Sequence, residues 1–309
     1  MEKKRQLTGH LSMMSANAMW GLMSPVSKAV LVFGPISAFS LTAFRVVGAA
    51  IAFWIASLFM PKERVSLRDL AQLFAAGLFA IILNQGSFVM GVSLTSPIDA
   101  SIVTTTLPIV TLIMAAIYLK ERITGQKILG ITLGASGALL LVLSGHQAIA
   151  GNRGQSNILG DLLCLFAQCS FAVYLVLFKK LNGRYSSVTL MKWMFTFAAL
   201  VWLPISFNQL KDIPFASLPT HIYGGIIYIV LIGTFVTYFL LSLGQSTLRP
   251  TTISMYNYVQ PIVSTLVTIW WGMDIFNWIK GLAVALIFTG VYIVTQSKVE
   301  AKAQHPHTH

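Results

Sequence analysis

Charge is what this sequence lacks most. Only 10% of its 309 residues are Asp, Glu, Lys or Arg, where a soluble globular domain carries roughly 25%. So little charge cannot cover a water-facing surface, which excludes a soluble globular fold. Acids are scarcer still, nine against 21 bases. Cysteine is nearly absent. Cys164 and Cys169 lie about 140° apart around a helix, cannot bridge each other, and read as small apolar residues. No HExxH occurs, and no GxxxxGK[ST] phosphate loop. No two carboxylates share the interior of one apolar run, and His10, His146 and His221 lie at run edges. These absences argue against metal-assisted or paired-carboxylate hydrolysis and against direct ATP use. No enzyme activity and no cofactor are therefore expected. The terminal His-Pro-His-Thr-His reads as a disordered tail, because nothing near it could complete a metal site. No alternating ten-residue pattern points to a membrane barrel.

What is present is apolar. Hydrophobic residues make up 56% of the chain, in runs of about 17–25 residues, the length that crosses a bilayer as helix. Ten spans are expected, near 11–32, 38–60, 69–91, 97–118, 125–145, 158–180, 188–206, 220–242, 249–271 and 276–296. The connections are too short to form a soluble domain. Ala16-Asn17-Ala18 mimics a signal cleavage site, but the preceding stretch is polar and the apolar run continues past it, so the first helix is expected to stay.

The basic excess has a place. With a cytoplasmic N-terminus, 15 Lys and Arg fall on the inner side and three on the outer (Arg153, Lys211, Lys280), while Lys28, Arg45 and Lys192 lie within spans. This positive-inside distribution puts both termini in the cytoplasm. It makes the charge a topology signal toward membrane lipids, with no nucleic acid as partner.

The chain also repeats itself. At an offset of 153 residues Gly91 matches Gly244, Pro97 matches Pro250, Ser101 matches Ser254, Pro108 matches Pro261, Glu121 matches Asp274 and Gly137 matches Gly290. Near the start the offset is 151, pairing Gly9 with Gly160 and Trp20 with Phe171. Two five-helix halves follow, 1–150 and 151–309. Five is odd, so the second half enters the membrane from the opposite side. The expected fold is all-α, ten transmembrane helices in two inverted repeats, with a solute site between the halves near the midplane.

Polar side chains gather on matching faces. Positions three and four apart share a helix face, so Ser101, Thr104, Pro108 and Thr111 form one row. Their counterparts Ser254, Asn257, Pro261 and Ser264 form another, with Gln260 beside it. Small hydroxyl residues serve close packing equally well, but Asn257 and Gln260 carry more hydrogen-bonding capacity than lipid can satisfy. Asn84, Gln85, Gln168, Tyr174, Tyr238, Tyr256 and Trp20 complete the candidate lining. It is polar, neutral and aromatic-walled, and suits small zwitterionic or amphipathic solutes better than highly charged phosphates. Lys28 and Arg45 have two readings, interfacial anchors that snorkel or groups for gating and anion recognition. Asp99, in Ser96-Pro97-Ile98-Asp99, reads as the acid of a capping box, with proton coupling as the other reading. Gly130, Gly134 and Gly137, with Gly281, Ala285 and Gly290, suit close helix contact within one chain or in a homodimer.

Together, Trp20-Gly21 with Lys28, the run SLTSPIDASIVTTTLPIVTLIMAAIYLKERITGQKILG from Ser93, and its second copy LGQSTLRPTTISMYNYVQPIVSTLVTIWWGMDIFNWIKGLAVALIFTG resemble the drug/metabolite transporter superfamily, specifically its EamA-type ten-helix members. The resemblance covers nearly the whole chain. Asp274 departs from it, standing where the family commonly has Glu. The resemblance implies a secondary transporter of the bacterial inner (cell) membrane, exporting amino-acid-like metabolites. Export of drugs or lipid-like solutes, or a channel, are the alternatives.

Overall fold

The computed structural model describes residues 2–33, 36–94, 103–145, 158–270 and 277–297. Ser96, Pro97, Asp99, Ser101, Asp274, the histidine tail and the expected boundary between residues 150 and 151 lie outside the described residues. So does the side chain of Lys28, whose backbone is helical.

The described residues form helices and no strand. They are α1 (Glu2–Phe33), α2 (Ala38–Leu58), α3 (Leu67–Gly77), α4 (Asn84–Leu94), α5 (Leu107–Tyr118), α6 (Gly125–Gly145) and α7 (Ile158–Leu177), then α8 (Ser187–Lys211), α9 (Thr220–Ile227), α10 (Thr237–Thr247), α11 (Pro250–Met255), α12 (Val259–Trp270) and α13 (Trp278–Gln296). Side-chain caps set several starts. Ser37, Ser66, Ser186 and Asn277 each accept a hydrogen bond from the backbone N–H three residues on, opening α2, α3, α8 and α13. Such a cap satisfies a donor that a helix end would otherwise leave open. At least six helical stretches are long and apolar enough to cross a membrane: Ala38–Leu58, Leu67–Gly91, Ile158–Leu177, Ser187–Lys211, Thr220–Thr247 and Trp278–Gln296.

Two of these stretches are not α-helical throughout. A π-helical segment, Leu78–Leu83, joins α3 to α4, and another, Tyr228–Val236, joins α9 to α10. The first, moved by 153 residues, falls at 231–236, inside the second. A 3-10 turn, Tyr256–Tyr258, joins α11 to α12 at the polar row.

The helices pair across the two halves in matching fashion. α6 packs along α13, and α2 along α8. α1 packs on α10 and α12, while α7 packs on their counterparts α4 and α5. Glycines permit the closest approaches. A Cβ on Gly130 would lie 2.7 Å from the Gly290 carbonyl oxygen, and one on Gly137 would lie 2.6 Å from that of Ala283. The glycine rows of α6 and α13 thus pack on each other within one chain. Gly91 meets Gly160 and Cys164, and Gly244 meets Met13 and Gly9, the same contact made once in each half. Two residues even touch their own equivalents. Gln85 Nε2 donates to the Tyr238 hydroxyl at 3.0 Å, and the Tyr258 hydroxyl donates to the Thr105 carbonyl at 3.2 Å. Each pair is separated by 153 residues.

Charged groups collect at helix ends and connections. Lys127 Nζ donates to Glu121 at 2.9 Å, and Glu121 also accepts from Thr251 Oγ1 at 3.0 Å. Arg184 pairs with Asp69 at 3.0 Å. Glu63 accepts from the Ser186 N–H and hydroxyl, a carboxylate at the N-terminus of α8 where the helix dipole favours it.

Candidate functional site

The π segments position the site. A shift to i→i+5 bonding releases backbone carbonyls from the regular ladder, and in an apolar interior each needs a donor. Side chains from the opposite half and from the same helical stretch supply them. Ser170 Oγ on α7 donates to the Phe79 carbonyl at 2.7 Å. Trp20 Nε1 on α1 donates to the Gly233 carbonyl at 3.1 Å, and Thr237 Oγ1 reaches the same oxygen at 2.8 Å. Thr234 Oγ1 donates to the Ile229 carbonyl, five residues back, at 2.8 Å.

Around the second π segment four candidates meet. The Trp20 ring stands edge-on to Tyr238, centroids 5.7 Å apart at 77°. The Tyr238 hydroxyl accepts from Gln85, whose Oε1 is buried with no hydrogen-bond partner. Arg45 Nε donates to Thr234 Oγ1 at 3.2 Å. Arg45 therefore points inward, toward a fully buried threonine, and its reading as a snorkelling anchor does not match this placement.

One helical turn from Trp20, a second polar group crosses the halves. Asn17 is 1% exposed and donates to the Met13 carbonyl at 2.9 Å. Its Oδ1 accepts from Gln260 Nε2 at 2.9 Å, and Gln260 Nε2 also donates to Asn257 Oδ1 at 2.7 Å. Gly21 allows this approach, since a Cβ there would lie 2.7 Å from the Gln260 carbonyl oxygen. Trp20, Gln85, Tyr238, Asn257, Gln260 and Arg45 thus gather around α1.

The other sequence candidates lie elsewhere. Asn84 Nδ2 donates to the Ala167 carbonyl on α7 at 2.9 Å, a helix–helix tie. Gln168 is buried on α7. Tyr174, also on α7, is buried against the rings of Phe171 and Phe178. Tyr256 pairs its hydroxyl with His10 Nδ1 at 2.8 Å. Thr104 lies half-buried in the helical turn before α5. Sequence reasoning missed the π segments and the carbonyls of Phe79 and Gly233. The first segment is apolar all round and the second carries only Tyr228 and Thr234 as polar residues, so no periodicity marks the insertion. Among the described residues no three His, Cys, Asp or Glu side chains are grouped to hold a metal.

The EamA-like transporter family matches residues 7–143 and again 158–296. The chain belongs to this family. An uncharacterized transporter of Archaeoglobus fulgidus is 25% identical over 220 residues, covering 71% of this chain and 74% of its own. The uncharacterized transporter YetK of Bacillus subtilis is 19% identical, covering 97% and 90%. A WAT1-related protein of Arabidopsis thaliana is 22% identical, covering 92% and 83%. A solved crystal structure superposes with a TM-score of 0.76 at 17% identity, covering 95% of this chain and 96% of that chain, which shows a shared fold. The protein is an integral membrane transporter of this family.

Proposed function

We infer that the chain is a secondary transporter, built as ten spans in two inverted five-helix halves, that exports small amino-acid-like or amphipathic metabolites by alternating access. Both termini lie in the cytoplasm of a cell whose plasma membrane holds the protein. The observation that carries this reading is the contact between equivalent positions, Gln85 with Tyr238 and Thr105 with Tyr258. A residue can touch its own equivalent only near the axis that relates the halves. The Trp20–Tyr238 and Asn17–Gln260–Asn257 groups stand beside that axis, where exchange of the two halves' conformations opens one side and closes the other. A solute there meets amide and hydroxyl groups over aromatic walls.

Counterflow in proteoliposomes tests it. Vesicles are loaded with a mixture of amino acids and small metabolites, each followed by mass spectrometry. A carrier exchanges at least one solute saturably, and Asn257→Leu abolishes the exchange while folded yield and thermal stability stay near those of the unaltered protein. Flux without saturation or counterflow would mean a channel. One observation favours a second reading, export of drug-like or lipid-like solutes. Gly48, Ile51, Ala52 and Ile55 form an apolar groove with Ile226, Ile227, Val230 and Leu231, open at the surface between α2 and the α9 stretch. Saturable export of a hydrophobic dye, with no metabolite exchanged, would select it.

A further inference from the structure

Arg45 is the eighth residue of α2, about 10 Å along the helix. Its Nε reaches Thr234, the fifteenth residue of the 28-residue stretch Thr220–Thr247 and so close to its middle. Arg45, half-buried, is therefore held with its Nε against the middle of the facing stretch. None of the described ion pairs includes it. The acids within the described residues are Glu2, Glu63, Asp69, Glu121, Asp161 and Asp212, all at helix ends or in connections, while Asp99, Asp274 and Glu300 lie outside them. Of the five N–H donors a guanidinium carries, one is occupied by Thr234, and among the described residues Nη1 and Nη2 have no hydrogen-bond partner. A cation among packed helices with no counter-charge among the described residues is costly and marks a candidate site of function.

The neighbours narrow what it is for. Tyr238 stands four residues along the chain from Thr234, the partner of Arg45, and the Trp20 ring stands against Tyr238. The polar ends of these aromatics are already used, Trp20 Nε1 on the Gly233 carbonyl and the Tyr238 hydroxyl on Gln85. The rings are left as an apolar wall one helical turn from Thr234, the residue that holds Arg45. Because Nε is occupied, the free edge is the Nη1/Nη2 fork, which matches the two oxygens of a carboxylate end-on. One guanidinium balances one negative charge, which fits a monocarboxylate better than a doubly charged phosphate. Lys192 shows what an anchoring cation looks like here. Its Nζ lies 4.6 Å from the centroid of the exposed Trp54 ring, at the protein surface.

We propose that Arg45 binds the carboxylate of the transported solute and that the solute is a monocarboxylate with an apolar or aromatic body. The proposal rests on the transporter reading above and specifies its substrate class. Thr234 is a positioning residue, holding Nε so that the Nη1/Nη2 fork faces the site.

The test uses the full chain in nanodiscs of zwitterionic lipid, with thermal unfolding read against butyrate, hexanoate and 3-phenylpropionate and their matched amides. The carboxylates are expected to raise the unfolding temperature saturably. The amides should bind on the order of tenfold more weakly or less, as for loss of a hydrogen bond to a charged group. Arg45→Gln should erase the difference between acid and amide, and Arg45→Lys, with the charge but no fork, should keep part of it. If Arg45→Gln fails to fold, Thr234→Val retains the charge, releases Nε, and should weaken acid binding while leaving amide binding unchanged. Equal binding of acids and amides by the unaltered protein overturns the proposal, as does acid binding that survives Arg45→Gln. Stabilisation by phosphatidylserine discs alone, with no effect of the free acids, also overturns it and assigns Arg45 to lipid. Counterflow separates the two readings. Exchange of a cationic or uncharged solute that persists in Arg45→Gln removes the carboxylate and keeps the carrier. No exchange of any solute by folded protein removes both.

Discussion

The face that α1 presents to α10 and α12 and the face that α7 presents to α4 and α5 are built from equivalent positions, yet their chemistry differs. On α1, Asn17 joins Gln260 and Asn257, and Trp20 spans to Gly233 and Tyr238. On α7 the equivalents are Gln168 and Phe171, and the equivalent of Gln260 is the buried Leu107. Both faces satisfy a carbonyl released by a π segment, through Ser170 on one side and Trp20 on the other. The scaffold is therefore symmetric while the polar chemistry sits on one face. The proposed alternating access would draw on the first property, and the proposed recognition of an asymmetric solute on the second.

The largest effect should come from breaking that asymmetry at its polar side. Gln260→Leu removes the donor shared by Asn17 and Asn257, and solute exchange should fall by on the order of tenfold or more, the scale of a lost buried hydrogen bond in a polar site. Gln168→Leu, at the equivalent of Asn17 on the other face, should leave exchange within about twofold on the same argument. Equal losses in the two variants would place the solute symmetrically between the faces.

Next in size are changes to the shared scaffold. Gly290→Leu would put a Cβ 2.5 Å from the Gly130 carbonyl oxygen, and Gly137→Leu would press on Ala283 and Ile287. Overpacking against backbone costs about 1–3 kcal/mol, so both variants should unfold at lower temperature in detergent, by similar amounts. A large loss in one and none in the other would mean that the α6–α13 seam is not symmetric in energy.

A smaller effect is expected for Trp20→Phe, which leaves Thr237 as the remaining donor to the Gly233 carbonyl. The cost should be about 1 kcal/mol, that of one net hydrogen bond, with solute affinity lowered as well. Phe171→Leu should lower stability alone. The smallest effect concerns the connections. Burial works against ionisation of Glu63, but hydrogen bonds from Thr189 and Ser186 outweigh it and hold the carboxyl below its usual range. A depressed carboxylate contributes stability that is present above the ordinary glutamate value and lost as pH falls through the folded one. Thermal unfolding followed downward from neutral pH should show a slight extra loss in the unaltered protein that Glu63→Gln lacks.

Most of the architecture was legible in the sequence. Apolar runs marked the helices, and Ser37, Ser66, Ser186 and Asn277 stand where caps are expected. The 153-residue offset anticipated which helices correspond, and the glycine rows anticipated the close seam of α6 and α13. The site was legible in part. Trp20, Gln85, Tyr238, Asn257 and Gln260 stood out because amides and aromatics are expensive in lipid unless they have partners. The same rule also picked Asn84 and Tyr256, whose partners turn out to be a backbone carbonyl on α7 and the His10 ring. A polar residue in an apolar run announces that a partner exists, and not whether that partner is protein or solute.

The division has a physical basis. Membrane insertion, helix starts and duplication depend on composition and on neighbours a few residues away, so they can be read along the chain. The π segments, the meeting of Gln85 with Tyr238 and the inward turn of Arg45 depend on groups 153 and 189 residues apart. In a low-dielectric interior every freed carbonyl and every guanidinium N–H must find a partner in space. Which partner it finds is set by how the two halves pack, and no local pattern encodes that.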